Sequence, residues 1–385
     1  MSQIDPGTPT WLRTHNDRTA FRLLLEHGPL TRTQLGELSG MSKPTAAQMI
    51  SRLERVDLIH AVGEVSGGRG PNAVSYGVRT DRIVGVAVSI LADGSHAVVV
   101  DAADAEHPIV AVPHEPSGRT PEDDVRRAVR AASEAAGVDP ANVSHVVVGV
   151  QAAVFAERDA LSLTDTLPGW PATGARGRIE EALGLQVVLE NDVNLAAIAE
   201  RAVGIAADVS SFAEFWIGDG LGVALDFDGV VHRGASGGAG EIGYLEASRS
   251  AIRLVPEARD FTDLLGGPVV ADLLGARDGE GLADVLPRLA GDEAALDAIA
   301  ERVAITIGPV VAVVDPALVV LAGPTSLAGG EALAARVAER IDRSAHPTLA
   351  VRVSGTGDQP VLLGARRLLV DRIRDLLEAD ITTAA

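Results

Sequence analysis

The segment GDGLGVALDFDGVVHRGASGGAGEIGY, residues 218–244, holds two glycine clusters and a lone glutamate, Glu241, after the second cluster. Loops of this kind bind phosphates or sugars, because glycine lets backbone N–H groups approach a ligand closely. The segment fits either an enzyme that phosphorylates a sugar or a protein that only recognises one. Residues elsewhere in the chain have to separate these two possibilities.

A second group of polar residues has the spacing of one helix face. Thr45, Gln48 and Arg52 recur at helical intervals, and Lys43 lies at the N-terminal end of the same pattern. Short hydrogen-bonding and cationic side chains on such a face can enter the major groove of DNA and read base edges. The alternative is a solvated surface on a small helical subdomain.

The residues around this face predict a helix-turn-helix. A first helix is expected with Asn16 as its N-cap and Gly28 as its stop. Second and third helices are expected after the capping residues Thr31 and Ser42, with Pro44 in the first turn of the third helix. The apolar residues expected to face the core of this unit are Phe21, Leu24, Leu25, Leu35, Leu38, Ala46, Ile50 and Leu53.

Two short strand-like runs follow, residues 59–65 and 73–78, and enclose SGGRGPN, residues 66–72. Arg69 would lie at the tip of a glycine-rich hairpin, where it could probe the minor groove or a phosphate. A flexible linker is the alternative, and both descriptions can hold.

The charge is divided unevenly along the chain. Of 385 residues with a net charge of −20, residues 1–80 carry nine basic and seven acidic side chains, and the remainder carries 24 basic and 46 acidic ones. A near-neutral to basic first segment on a strongly acidic body is typical of a chain whose first segment alone meets polyanions.

The composition limits the classes of protein and site that remain. At this length two or three domains are expected. The absence of cysteine excludes disulfides and cysteine-ligated metals, and the nine histidines show no HExxH-like pairing, so no metal or other cofactor is expected. No apolar run is long enough to span a bilayer and no signal peptide is evident, which predicts a cytoplasmic protein.

From Ile83 onward, apolar strand runs alternate with helical stretches in two similar halves. Such a βββαβα-like repeat suggests two lobes with a ligand-binding cleft between them. The runs that predict strands lie within residues 83–102, 145–155, 185–204, 210–229 and 317–324, and long helices are expected at about 294–313 and 361–377.

The first segment resembles a known family. The run GPLTRTQLGELSGMSKPTAAQMISRLERVDLI, residues 28–59, followed by GGRG, is similar to the N-terminal domain of ROK (repressor, open reading frame, kinase) family regulators, which include sugar-responsive repressors of the N-acetylglucosamine and xylose type. Family members continue GGRGRP where this chain has GGRGPN, so a second arginine is missing. The residues expected to contact DNA are Arg32, Ser42, Lys43, Thr45, Gln48, Arg52 and Arg69.

The body resembles the ROK domain itself, through TDTLPGW, ENDVNLAAIAE, GASGGAGEIGY and VVDPALVVLAGP in that order. The resemblance implies an α/β protein: a winged helix-turn-helix followed by a two-lobed, actin-like (ribonuclease H-like) sugar-kinase fold. The expected domains are residues 1–80, with a wing or linker over 60–80, and residues 81–385, with lobes at about 81–205 and 206–385.

The resemblance also implies a sugar site. Asp192 matches the aspartate that serves ROK kinases as general base, although Asn191 and Asp192 could instead only cap the helix that starts near Val193. Trp170 matches a turn beside the pocket and could equally be core. The residues expected to bind the ligand are Thr166, Asn191, Asp192, Gly238, Glu241 and Tyr244.

Departures from the family pattern affect the nucleotide side most. The D-x-G-G-T loop of ROK kinases is replaced by Ala87-Val88-Ser89-Ile90-Leu91, a GTGxG loop by one with Asp219, and a GGG run by Ala322-Gly323-Pro324. Side chains in place of glycine block backbone contacts to phosphates, and a carboxylate repels them. ATP turnover is therefore not expected, and no residue is assigned a catalytic role.

The sugar side departs less. Tyr244 replaces a histidine, Thr166 an asparagine and Thr262 a glutamate, and the zinc-binding cysteines are missing. The expected protein is a sugar-responsive DNA-binding regulator, a repressor by family habit, which binds an operator as a homodimer or tetramer and does not interact with a membrane. A sugar kinase with an accessory DNA-binding head and a ligand-independent dimeric DNA-binding protein remain as alternatives.

Overall fold

The computed structural model describes residues 8–65, 73–114, 118–162, 167–341 and 345–383. The helices in these ranges are α1 (Pro9–His27), α2 (Arg32–Ser39), α3 (Lys43–Arg55), α4 (Pro121–Ala136), α5 (Ala175–Leu183), α6 (Asp192–Val203), α7 (Arg249–Leu254), α8 (Thr262–Leu265), α9 (Gly267–Leu273), α10 (Leu282–Val285), α11 (Glu293–Val314), α12 (Gly323–Arg340) and α13 (Pro360–Thr383). The strands are β1 (Leu30–Thr31), β2 (Ile59–Val65), β3 (Ala73–Val78), β4 (Val84–Ile90), β5 (Gly94–Val100), β6 (Val110–Pro113), β7 (Val143–Val150), β8 (Ala153–Phe155), β9 (Ala160–Ser162), β10 (Gln186–Asn191), β11 (Ser211–Ile217), β12 (Leu221–Phe227), β13 (Val230–Val231), β14 (Leu318–Ala322) and β15 (Ala350–Val353).

The first six elements form a winged helix-turn-helix, as the sequence predicts. Helices α1, α2 and α3 pack on one another, and β1, β3 and β2 form an antiparallel sheet in that order. Strands β2 and β3 coincide with the two predicted strand-like runs. The core of this head comes mainly from the helices and contains Ala20, Phe21, Leu24, Leu35, Ala46, Met49, Ile50 and Leu53.

The helix starts in the head are confirmed for α2 and α3. Thr31 and Gln34 form the predicted capping box, and the Ser42 hydroxyl accepts the Thr45 N–H at the start of α3. These side chains satisfy backbone N–H groups that have no partner within the helix. The tight turn between the two helices begins with Gly40, the C-cap of α2, in the left-handed conformation, φ 68°.

Two details of the head differ from the prediction. Helix α1 is capped by Thr8 rather than Asn16, since the Thr8 hydroxyl accepts the Trp11 N–H at 3.1 Å and Pro9 follows in the first turn, where it lacks only an N–H that would go unpaired. Asn16 lies inside the helix and is buried. Leu38 does not join the core and is 49% exposed, because only one side of α2 faces α1 and α3.

The remaining strands form two five-stranded sheets of the same design. The first has the order β10-β7-β4-β5-β6 and the second the order β15-β14-β11-β12-β13. In each sheet an antiparallel meander of three strands is extended by two parallel strands. The order confirms the predicted repeat of two lobes.

Helix α13 connects distant parts of the molecule. It packs along α6 and across strands β4, β5 and β7 of the first sheet. Its C-terminal end meets α1 of the head, where Nε and Nη2 of Arg22 donate to the Glu378 carboxylate at 2.6 and 2.8 Å. Arg18 donates to the Thr382 hydroxyl at 2.7 Å. The helix thus shares one apolar core with the head and the first lobe.

Candidate functional site

A cavity of about 160 Å³ collects four of the six predicted ligand-binding residues: Asn191, Asp192, Glu241 and Tyr244. We call it the first cavity. Its walls come from the β10–α6 junction, the β11–β12 turn and the loop after β13. Gly238 belongs to the same loop but does not line the cavity, and Thr166 lies outside the described residues.

Asn191 is the N-cap of α6. Its Oδ1 accepts the Asn194 N–H at 3.0 Å and its Nδ2 donates to the Ala152 carbonyl at 3.1 Å. Asn191 therefore caps α6, and the cap also fixes its amide beside the cavity. Asp192, the first residue of α6, accepts the Val193 N–H on Oδ1 at 3.0 Å.

Two carboxyl groups of the first cavity, Asp192 and Glu241, have raised pKa values. The pKa of Asp192 is raised to about 7, chiefly because the surrounding protein removes the group from water; the hydrogen bond from the Val193 N–H opposes this, and the nearby charge of Glu241 adds a smaller repulsion. Burial also raises the pKa of Glu241. Near neutral pH such a pair can both donate and accept hydrogen bonds, which suits hydroxyl groups.

The loop of residues 234–240 follows the backbone of neighbouring strands closely. At Gly240, φ is 90° and a Cβ would lie 1.7 Å from the Val223 carbonyl oxygen. At Gly237, φ is 99° and a Cβ would lie 2.1 Å from the Val154 carbonyl oxygen. Only glycine fits both constraints, so these two residues hold Glu241 against the cavity.

A buried ion pair ties this loop to strand β10. Glu190 accepts from Arg233 Nε on Oε2 at 2.6 Å, and its Oε1 accepts the Asn191 N–H and Asn194 Nδ2 at 3.0 Å each. The Glu190 carboxylate thus places both sides of the first cavity relative to one another, although it does not line the cavity itself.

Residues 244–265 cover the outer side of the first cavity. Tyr244 and Thr262 line it, and the Thr262 hydroxyl donates to the Gly243 carbonyl at 3.1 Å. Asp263 does not line it and instead accepts from the backbone N–H and Nε of Arg259, at 3.0 Å each. Where the zinc-containing family members have cysteines, backbone hydrogen bonds and a buried set of side chains hold the chain: Ala247, Ala251, Ala258, Phe261, Leu264 and Leu265.

A second cavity of about 250 Å³ adjoins the first and shares Gln151, Asp192 and Trp216 with it. Its walls come from the end of β4, the β14–α12 junction and the start of α13. Two of the three segments that match the nucleotide loops of ROK kinases contribute to it, and Ile90, Leu91 and Pro324 face the space. Among the described residues that line either cavity, none is lysine or arginine.

The segments that match phosphate loops have other roles in this chain. Ala87, Val88 and Ser89 are buried in the middle of β4, where their backbone groups pair with β5 and β7. Asp219 lines the first cavity, and its carbonyl accepts the Gly267 N–H at 3.0 Å. A phosphate at these segments would therefore meet side chains and the Asp219 carboxylate, with no lysine or arginine among the described lining residues.

Some of the predicted DNA-contacting residues of the head are exposed, and others contact neighbouring side chains of the head. Lys43 and Gln48 are exposed on α3, and Thr45 is half-buried beside its hydroxyl partner Ser42 at 2.9 Å. Arg32 donates to the Tyr76 hydroxyl at 2.8 Å, with its guanidinium over the ring. Arg69 lies outside the described residues.

Arg52 is the residue whose placement differs most from expectation. Its Nε and Nη2 donate to both oxygens of the buried Asp17 carboxylate, at 2.7 and 2.6 Å. Burial raises the pKa of Asp17 while the arginine opposes this. The pair fixes α3 on α1, so Arg52 holds the helix in place rather than presenting a free guanidinium on its polar face.

Sequence reasoning missed two residues of the cleft and left one undecided. Gln151 and Trp216 lie where both cavities meet, and no motif marks either of them. Trp170 is core: it is 5% exposed and donates its indole N–H to Asp124 at 2.9 Å. The apolar run up to residue 217 could have indicated a strand, β11, and Trp216 lies next to the end of this strand at the cleft.

Two searches of the described residues gave negative results. No group of three or more histidine, cysteine, aspartate or glutamate side chains in these ranges could hold a metal ion. No helix within them is both long and apolar enough to cross a membrane.

The chain is similar to known proteins of one family. The model of the ROK family matches residues 90–258. The xylose repressor of Bacillus spizizenii is 21% identical over 251 residues, and the match covers 63% of this chain and 63% of the repressor, so it spans less than two thirds of that relative's length.

Two further matches extend the comparison. The crystal structure of a ROK family transcriptional regulator, a homolog of the E. coli MLC protein, superposes with a TM-score of 0.69 at 19% identity and covers 97% of this chain and 99% of its own, which shows that the fold includes the head. The N-acetyl-D-glucosamine kinase of Pasteurella multocida is 30% identical over 214 residues, covering 50% of this chain and 70% of the kinase. On the family model and this kinase together, the chain belongs to the ROK family.

Proposed function

We propose that this protein is a DNA-binding transcriptional regulator, a repressor, whose operator affinity is controlled by an uncharged sugar bound in a catalytically inactive ROK domain. Residues 1–80 are the proposed DNA-binding head and residues 81–385 the sensor, with lobes at about 81–205 and 206–385. The relatives named xylose repressor support this reading over the kinase relatives.

The DNA side of the proposal rests on α3. Lys43 and Gln48 are exposed at its N-terminal half, and Ser42 caps it, so that this end can enter a major groove. Lys43 would contact a phosphate and Gln48 a base edge, while Arg52 keeps the helix on α1. Two heads in a homodimer would bind half-sites about 10 base pairs apart.

The ligand side rests on the charge of the first cavity. Asp192, Asp219 and Glu241 line it without a lysine or arginine among the described lining residues. Such a site repels a phosphorylated ligand, since no cation compensates the added negative charge. Uncharged hydroxyl groups, in contrast, match carboxyl groups that donate and accept.

One observation carries the proposal: helix α13 begins against the cleft and ends on the head. Gln359, Pro360, Val361 and Leu362 line the second cavity at its start, and Glu378 near its end pairs with Arg22 of α1. A helix of 24 residues is about 36 Å long and moves as one body. A ligand that closes the cleft therefore changes the position of the head, which alters operator affinity.

The test selects duplex DNA bound by the purified protein from a random-sequence library and measures its affinity with and without uncharged pyranoses or their phosphates. Coupling free energies of the usual size predict that one uncharged sugar weakens DNA binding by about 5- to 150-fold. Arg22→Ala should keep sugar affinity and lessen this effect. The matched control Arg130→Ala, which breaks the exposed pair with Glu134, should change nothing.

Failure to select any DNA would contradict the proposal, and equal DNA affinity with every sugar that binds would leave only a dimeric DNA-binding protein. Since Asp192 is retained, the kinase alternative is measured in parallel as sugar-dependent release of ADP from Mg-ATP. ADP release with any sugar would contradict the non-catalytic part.

A further inference from the structure

The second cavity is larger than the first and continuous with it, because Gln151, Asp192 and Trp216 form part of the wall of both. A ligand held by Asp192 and Glu241 in the first cavity therefore has the second cavity directly beside it. Nothing in the proposed sugar recognition uses this space.

The walls of the second cavity are mainly apolar. Ile90 and Leu362 are 1% exposed and form its floor, and Leu327, 40% exposed, lies at its rim. Val361 and Pro324 complete this surface, with the indole of Trp216 at the junction. Aromatic and aliphatic groups gain free energy in such surroundings by leaving water.

The charged groups of the second cavity exclude a nucleotide. Its lining includes the carboxylates Asp192 and Asp358, and His96 is the one side chain among the described lining residues that can become cationic. Phosphates need cations to compensate their charge, and the described lining residues include no lysine or arginine. The cavity thus favours an uncharged group over a phosphate.

We propose that the second cavity binds the aglycone of a glycoside, so that the effector is a sugar joined to an aromatic or branched aliphatic group rather than a free monosaccharide. The proposal rests on the proposed function, since the sugar ring occupies the first cavity. The aglycone then contacts the start of α13 directly, at Val361 and Leu362, which are the residues through which the head is reached.

The experiment measures the binding of methyl, cyclohexyl and phenyl glycosides of glucose, xylose and N-acetylglucosamine, in both anomeric forms, to the full chain by titration calorimetry. Burial of a ring of this size predicts that phenyl and cyclohexyl glycosides of the recognised sugar bind about ten- to a hundredfold more tightly than the methyl glycoside. Leu327→Asp should remove this gain and leave the methyl glycoside unaffected. Leu12→Asp, at an exposed leucine of the head, is the matched control and should retain the gain.

Each possible result either supports or overturns the proposed aglycone site. Equal affinities of methyl and phenyl glycosides overturn the aglycone site while the proposed sugar response stands. A gain that survives Leu327→Asp also overturns it, because the ring then binds elsewhere. If no glycoside binds at all, the sugar-responsive function fails together with this inference.

Discussion

The two cavities adjoin in one cleft, and each is lined by residues of both five-stranded sheets, yet their chemistry differs. The first is built from carboxyl groups, an amide and a glycine loop, and the second from Ile90, Leu327, Leu362 and a tryptophan edge. The first therefore has carboxyl and amide groups that suit hydroxyl groups, whereas the described lining residues of the second include no lysine or arginine to compensate a triphosphate. Under the proposed function, ligand recognition and phosphate chemistry are separable in this chain.

The backbone of the two cavities also differs in how much space it leaves for a side chain at a glycine. Gly240 in the first cavity and Gly323 in the second both have positive φ, 90° and 83°. A Cβ would lie 1.7 Å from a carbonyl oxygen at Gly240 but 2.7 Å from one at Gly323. We therefore expect substitution of Gly240 in the first cavity to be tolerated less well than substitution of Gly323 in the second.

The largest effect is expected from Gly240→Ala. Overlap with the Val223 carbonyl adds to the strain of a positive φ, so the free energy of unfolding should fall by about 3 kcal/mol or more. Gly323→Ala should cost about 1–3 kcal/mol. Gly220→Ala, in the same wall as Gly240 with no atom near its Cβ, should cost less than about 0.5 kcal/mol. Urea unfolding of the three variants measures the order of these losses in the free energy of unfolding. A larger loss for Gly323→Ala than for Gly240→Ala would contradict the prediction.

An intermediate effect is expected from Glu241→Gln. Loss of a charged acceptor for sugar hydroxyls should weaken sugar binding by about ten- to a hundredfold. The ratio of phenyl to methyl glycoside affinity should stay the same, because that ratio comes from the second cavity. Asp263→Asn, whose carboxylate pairs with Arg259 outside the cavity, is the control. Calorimetry that shows loss of the ratio in Glu241→Gln would mean that the cavities do not act separately.

The third prediction concerns pH. Asp192 has a pKa of about 7 in the folded protein and an ordinary, lower value in the unfolded chain. Between these values the folded state holds a proton that the unfolded state has lost, so this group's contribution to stability is present at low pH and is lost as the pH rises to about 7. Asp192→Asn should therefore raise Tm relative to the parent more at pH 8 than at pH 5. A Tm difference that does not change with pH would contradict this assignment.

Local chemistry in the sequence was sufficient for much of the fold. Thr31 with Gln34 and Ser42 with Pro44 fixed two helix starts, because a cap acts within four residues of chain. The strands at 59–65 and 73–78 followed from short runs bounded by glycine. The convergence of Asn191, Asp192 and Glu241 followed from the family resemblance, which places motifs that are distant in the chain on one cleft.

What sequence could not provide depends on packing between distant segments. The Asp17–Arg52 pair requires the angle between α1 and α3, and Leu38 is exposed because of how α2 lies on them. The α1 start at Thr8 was missed because Asn16 offered a stronger cap signal in isolation. The junction at Gln151 and Trp216 arises only when the two lobes face each other.

The contact between α13 and the head also bears on how the chain is made. Arg22 and Glu378 are 356 residues apart, and α13 covers strands of the first lobe that are translated long before it. Because α13 packs on the first lobe and contacts the head, neither the packing of the first lobe nor its contact with the head can form until α13 has left the ribosome. The head is synthesised before α13 but gains this contact only after it, and the long sequence separation of these contacts predicts slow folding of the first lobe.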